Sequence, residues 1–266
     1  MGRVSGARAG RGRFGETTRA APSPSGPTLP SVSVGKAAVV FGALVLALSG
    51  CVSDQERGAP TKRFVEHVDN PWFPLVPGTT YIYRGMKDGE PSREVLRVTH
   101  RTKLIQGVRC TTLNDRLYLG GRLEERTSDW YAQDEKGNVW YFGEDTAELN
   151  EQGRVTSREG SWQAGVDGAR AGIYMPAEPK VDQSFRQEFY AGHAEDHFRV
   201  VDLAAPVDVP YTSSKEALLT EEWTPLEPGV IDHKFYVRGV GTVKEQAVKG
   251  GDELNELVSV TAGLES

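Results

Sequence analysis

Cysteine is scarce in this sequence. Its 266 residues include only Cys51 and Cys110, too few for the disulfide framework that holds small exported domains together or for a zinc site built on paired thiolates. Long apolar runs are missing too. The longest covers residues 37–48, twelve positions against the roughly 20 that a helix needs to cross a bilayer. No window of eleven or more residues carries an amphipathic helical stripe. Absent as well are a phosphate-cradling glycine loop before a helix, a dinucleotide fingerprint and a nucleophile motif with a positioned histidine. No cofactor is implied, and catalysis has no support.

Positive charge is the next shortage, and it is unevenly placed. Residues 1–50 hold Arg3, Arg8, Arg11, Arg13, Arg19 and Lys36 against one acid, Glu16. Of the chain's 31 basic and 37 acidic residues, 25 and 36 lie beyond that point, a net charge of about −11. A phosphate backbone needs a basic footprint, so nucleic acid is excluded as an expected partner.

What is present begins with an address. Residues 1–35 are rich in Gly, Ser, Pro, Ala and Arg and have nothing to bury. Lys36 and the apolar stretch 37–48 follow, then small residues, the order of parts in an export signal. Leu48, Ser49, Gly50 and Cys51 resemble the lipobox of bacterial lipoproteins, in which an aliphatic and two small residues precede a cysteine that is lipidated and becomes the new first residue. The resemblance implies cleavage between Gly50 and Cys51, acyl chains on Cys51, and anchoring to the outer face of the bacterial cell membrane. Each buried methylene contributes about 0.8 kcal/mol, so more than one chain makes a lasting anchor. The basic leader is about twice the usual length, leaving open a later start near Val32 or Val34. A plain signal peptide or a short membrane anchor are the alternatives. Residues 51–62 read as a polar tether and 63–266 as one domain. With Cys51 acylated, Cys110 has no partner, and its strand-like surroundings suit a buried, inert thiol.

The domain has an all-β rhythm. Short apolar runs recur between Pro77-Gly78, Asp88-Gly89, Gln106-Gly107, Gly120-Gly121, Gly137-Asn138, Pro228-Gly229 and Gly250-Gly251. Strands are expected at 79–85, 93–104, 107–119, 122–133, 138–143, 153–157, 183–191, 196–203, 216–223, 231–238, 241–248 and 254–261. Alternation puts Tyr81 with Tyr83, Leu96 with Val98 and His100, and Phe185 with Gln187 and Phe189. Residues 158–182, broken by Gly and Pro, read as a loop. Sequential strands joined by tight turns predict an antiparallel meander curled into a barrel or half-barrel.

Three stretches, 70–75 (Asn-Pro-Trp-Phe-Pro-Leu), 130–141 and 235–245 around Tyr236, resemble a pattern found in uncharacterised β-rich secreted and lipid-anchored bacterial proteins. Val237, Arg238 and Thr242 depart from it. The resemblance implies fold type and export, and no activity.

Few side chains invite chemistry. His193, Glu195, Asp196 and His197 could hold a metal on a helix, but i and i+4 on a strand lie about 13 Å apart, and a solvated turn is the commoner use of such a cluster. Asp134, Gly137 and Asn138 lack the ligand spacing of a calcium loop and read as a hairpin turn. No metal site is therefore assigned. Trp72, Trp130, Trp140, Trp162 and Trp223 could line a sugar or lipid face or pack the core. Glu221-Glu222 and Glu124-Glu125 are adjacent, so a strand turns each pair to opposite faces. The leading expectation is a non-enzymatic surface lipoprotein binding an apolar or amphiphilic molecule, or an envelope protein, in its concavity. The alternatives are a structural or interaction protein without a cavity, and a metal-dependent hydrolase.

Overall fold

The computed structural model describes residues 63–262, so Gly50, Cys51, the leader and the tether lie outside the described part. All regular structure there is β. Five strands come first: β1 (Thr80–Lys87), β2 (Glu90–Ile105), β3 (Val108–Leu119), β4 (Arg122–Gln133) and β5 (Val139–Leu149). Short pieces follow: β6 (Val155–Ser157), β7 (Trp162–Gln163), β8 (Arg170–Met175), β9 (Ser184–Arg186) and β10 (Glu188–Phe189). The chain ends with β11 (His197–Val209), β12 (Thr212–Trp223), β13 (Ile231–Val237), β14 (Gly241–Lys249) and β15 (Leu254–Thr261).

Every pairing is antiparallel, and the sheet runs β10-β8-β5-β4-β3-β2-β1-β15-β14-β13-β12-β11-β9, with β6 and β7 beside β5. The terminal strands of this path, β9 and β10, are two halves of one segment, residues 184–189, broken at Gln187. Its first half pairs with β11 and its second with β8. One strand thus carries both ends of the sheet, and the meander comes round on itself as a barrel, which removes exposed edges.

Local chemistry sets the register. Asp88-Gly89, Gln106-Gly107 and Gly120-Gly121 each join two strands as a two-residue turn with both residues at positive φ, the hand that matches the right-handed twist of the flanking strands. The expected strands follow these elements in order but differ in extent. β5 runs on to Leu149 past the expected 143, the expected strand 183–191 is broken at Gln187, and β11 and β12 extend to a hairpin at 209–212. Within the expected loop 158–182, residues 162–163 form β7 and 170–175 form β8. Gly172 explains β8. A Cβ at that position would collide with the carbonyls of Arg186 and Gln187, so the glycine is what lets β8 lie against the closing segment.

Outside this closure, cross-strand neighbours stack as a ladder. Trp223 faces His197 at 5.7 Å, Arg186 Nε donates to His197 Nε2 at 3.1 Å, and Arg186 and Arg170 both lie over Phe189 at 4.5 and 4.3 Å. Cation–π contacts at such partly exposed sites contribute about 0.5–1 kcal/mol each.

One end of the barrel is plugged by the segment that precedes β1. Asn70 Nδ2 donates to the carbonyls of Gly137 and Pro176, while Gln133 Oε1 accepts from the amides of Asp69 and Asn70. Gly239 N donates to the Pro71 carbonyl at 2.7 Å, and Arg238 lies over the Trp72 ring. Phe73 packs at 5.2 and 4.5 Å from Tyr131 and Tyr174. The stretches 70–75, 130–141 and 235–245, separate in sequence, therefore meet at this plug.

Candidate functional site: an acidic chamber inside the barrel

Inward positions change character along the barrel. Toward the plug they are apolar or aromatic: Phe73, Leu75, Tyr81, Tyr83, Leu96 and Leu113 leave only about 20 Å³ of free space. A cavity for an apolar ligand needs several hundred. The apolar concavity expected from sequence is thus filled by the protein's own side chains.

Toward the opposite end the same inward parity carries charge. Glu94, Asp115, Glu125, Glu144, Glu245 and Glu253 line a small chamber of about 40 Å³ with Lys87, Thr127 and Asn255. Strand alternation puts them there: Glu94 is two residues from buried Leu96, and Asp115 two from buried Leu113. Asn255 Nδ2 donates to Glu94 Oε2 at 3.1 Å, and Ser92 Oγ to Asn255 Oδ1 at 3.3 Å. Burial, followed by the neighbouring Asp115 carboxylate and a hydrogen bond to it, holds the Glu94 carboxyl well above the usual range.

Asp129, fully buried, lies behind this lining and not in it. It lies opposite Glu144 across the β4–β5 ladder and two residues from Thr127, on the same inward face. Tyr141 donates to its Oδ1 at 2.7 Å, whereas Oδ2 is buried with no hydrogen-bond partner. Burial, then the charge of Asp115, pushes its pKa up to about 7 against the pull of the Tyr141 hydrogen bond. The hydroxyls of Tyr131 and Tyr174, packed 5.0 Å apart ring to ring, are likewise buried without a partner.

Across the barrel, Lys234 is only 2% exposed and bridges Glu222 at 2.9 Å and Glu245 at 3.2 Å. Burial alone would lower its pKa; the two carboxylates outweigh that and hold it well above the ordinary value. Thr220 and Tyr236 hydroxyls complete the coordination of Glu222. Nearer the mouth Lys87 pairs with Glu253 at 3.4 Å.

The residues singled out in the sequence are placed elsewhere. His193 stacks on Tyr190 at 4.4 Å and His197 on Trp223, so the two imidazoles serve separate contacts. Among the described residues no group of three or more His, Cys, Asp or Glu is placed to hold a metal ion. Asp134 caps its own hairpin turn, accepting from the Lys136 and Asn138 amides, Asn138 Nδ2 and Trp140 Nε1. Burial opposes its charge, but these bonds prevail and hold the carboxyl below its ordinary pKa.

Glu221 and Glu222 do point apart, the first to Arg199 on the surface and the second to Lys234 inside. Trp72, Trp130 and Trp162 are buried, whereas Trp140 and Trp223 are half-buried. Cys110 is buried, its thiol pushed up to about 12 by desolvation.

No protein-family model and no curated protein matches the sequence. Solved structures with partial similarity include a protein assigned as exported, with a YmcC-like fold, from Bacteroides fragilis, at 14% identity over 71% of this chain and 98% of that one, TM-score 0.41. A second, assigned as a lipoprotein, from Parabacteroides distasonis, is 10% identical over 72% of this chain and 99% of that one, TM-score 0.38.

Proposed function

We propose that this chain is an extracytoplasmic lipoprotein, anchored through acylated Cys51, whose acidic chamber, about 40 Å³ of free space, receives a single ammonium group at its mouth, the terminal amine of an organic cation or of an envelope component whose remainder stays outside. The anchor reading rests on residues 48–51 behind their apolar stretch. The chamber reading rests chiefly on Asp129, a fully buried carboxyl with one oxygen unpartnered on a face it shares with Thr127 and Glu144. An organic cation suits this lining better than a metal ion, which needs several ligands converging at about 2 Å.

Spermidine serves as the probe. Thermal unfolding of the mature protein is followed at pH 8 with increasing spermidine. A ligand of the folded state at one hundred times its Kd stabilises by about 2.7 kcal/mol, and the combined substitution Glu125→Gln and Glu253→Gln abolishes the rise. No rise at millimolar spermidine defeats the chamber reading and leaves the second, a structural or interaction protein, which the filled apolar half of the barrel favours.

A further inference from the structure

Each chamber acid on β2, β3 and β4 has an arginine beside it in sequence: Arg93 next to Glu94, Arg116 next to Asp115 and Arg126 next to Glu125. Strand alternation sends the acids into the barrel and the arginines out. Arg84 on β1 and Arg97 on β2 share the outward parity. The register then sets like charges face to face, Arg84 directly opposite Arg93 and Arg116 directly opposite Arg126. Pairs of this kind destabilise a sheet, and nothing in the fold offsets them. The acids at the margins of this face are paired elsewhere: Glu124 with Arg122, Asp145 with Arg158, and Glu256, which lies across from Arg84, with Lys244. Arg84, Arg97 and Arg126 are exposed, and their guanidiniums have no hydrogen bond or ion pair among the described residues.

The face narrows to a site over β3, β4 and β5. Arg116, Arg126 and Arg158 line a pocket of about 100 Å³ with Ser128 and Asp145. Three guanidiniums against one carboxylate leave it positive. Arg116 is half-buried and fixed in place, its Nη1 donating to the carbonyls of Asp115 and Thr127, and Arg158 is held by Asp145 at 2.6 Å. A water molecule occupies roughly 30 Å³ in the liquid, so the space suits a group of a few heavy atoms, and guanidinium forks match the oxygens of a phosphate. Arg97, Arg93 and Arg84 carry the positive face on across β2 and β1. A single phosphate leaves those three unused, whereas a chain of phosphates meets them. Ile82, Val95 and Tyr118, the apolar side chains among these arginines, are half-buried and offer a bilayer little area to take up. The Tyr118 ring lies under Arg93 at 5.5 Å, which leaves no platform for stacked bases.

We propose that the outer wall of β1–β5 binds a linear phosphate polymer, one phosphate group seated among Arg116, Arg126 and Arg158 and its neighbours following Arg97, Arg93 and Arg84. The proposal rests neither on what the chamber binds nor on Cys51.

The test follows binding of short-chain polyphosphate to the purified protein by calorimetry at low ionic strength, where attraction at a surface is least screened. Arg126→Gln weakens binding by about tenfold or more, and Arg126→Glu weakens it further. Lys215→Glu, an equal change of charge at an exposed position on β12, leaves it near wild type. Arg126→Glu also unfolds at no lower temperature than wild type, because an opposite-charge pair replaces a like-charge one, so its lost binding is not lost fold. No binding at millimolar polyphosphate, or equal weakening by Arg126→Glu and Lys215→Glu, overturns the proposal. Inorganic phosphate that matches the chain at equal phosphate concentration overturns it in favour of a single-phosphate site. Equal displacement by phosphatidylglycerol in detergent micelles, or by single-stranded DNA, overturns it in favour of a lipid or a nucleic acid.

Discussion

Asp129 holds a carboxyl that no solvent reaches, and its pH behaviour follows from that. Its folded pKa, about 7, lies above the ordinary 3.8. The folded state therefore favours the protonated form. The stability this provides is fully present below pH 4 and is lost as pH rises through 7. Asp129→Asn keeps an acceptor for Tyr141 and cannot ionise, so at pH 8.5 the variant unfolds at a higher temperature than wild type. At pH 5 the two lie within about 1 kcal/mol. Thermal melts across that range check the crossover; a variant weaker than wild type at every pH contradicts it. Lys234 behaves oppositely: Lys234→Met strands Glu222, buried to 1%, and costs about 3–5 kcal/mol by chemical denaturation. Adding Glu222→Leu recovers part of the loss, since an uncompensated buried charge is then removed.

At the scale of elements, the turns, the inward parity and the curl of the meander toward a barrel were legible, whereas the closing seam and the chamber were not. The three two-residue hairpins follow from glycine dipeptides because positive φ at both positions is a local requirement. β8 escaped detection because Gly172 and the nearby prolines read as loop chemistry; what makes residues 170–175 a strand is a non-local partner, the 184–189 segment. The chamber escaped for a related reason. Glu94, Asp115, Asp129 and Glu144 each look like an isolated surface charge, and only the barrel brings them together from four strands. The available signal was phase, each of the first three being spaced two residues from a buried apolar position. Gly172→Ala tests the closure. The overpacking costs about 3 kcal/mol and accelerates amide exchange at 184–189 and in β8 more than in the β2–β3 hairpin; uniform exchange throughout would contradict the seam's role.

At the scale of the whole molecule the two ends of the barrel differ. A chain of about −11 beyond residue 50 keeps its aromatic plug at one end of the barrel and its acidic chamber at the other. Charge of this sign sets attraction of a cation more than it sets fold. The fold is set by the aromatic plug and the closing strand. The proposed place of the protein at a membrane depends on Cys51 being the point of attachment. The intact mass of protein extracted from membranes, wild type beside Cys51→Ala, decides it most directly. The account predicts a wild-type chain that begins at Cys51 and carries more than one acyl chain, and a Cys51→Ala chain that carries none. An unmodified chain beginning elsewhere than Cys51 would contradict it.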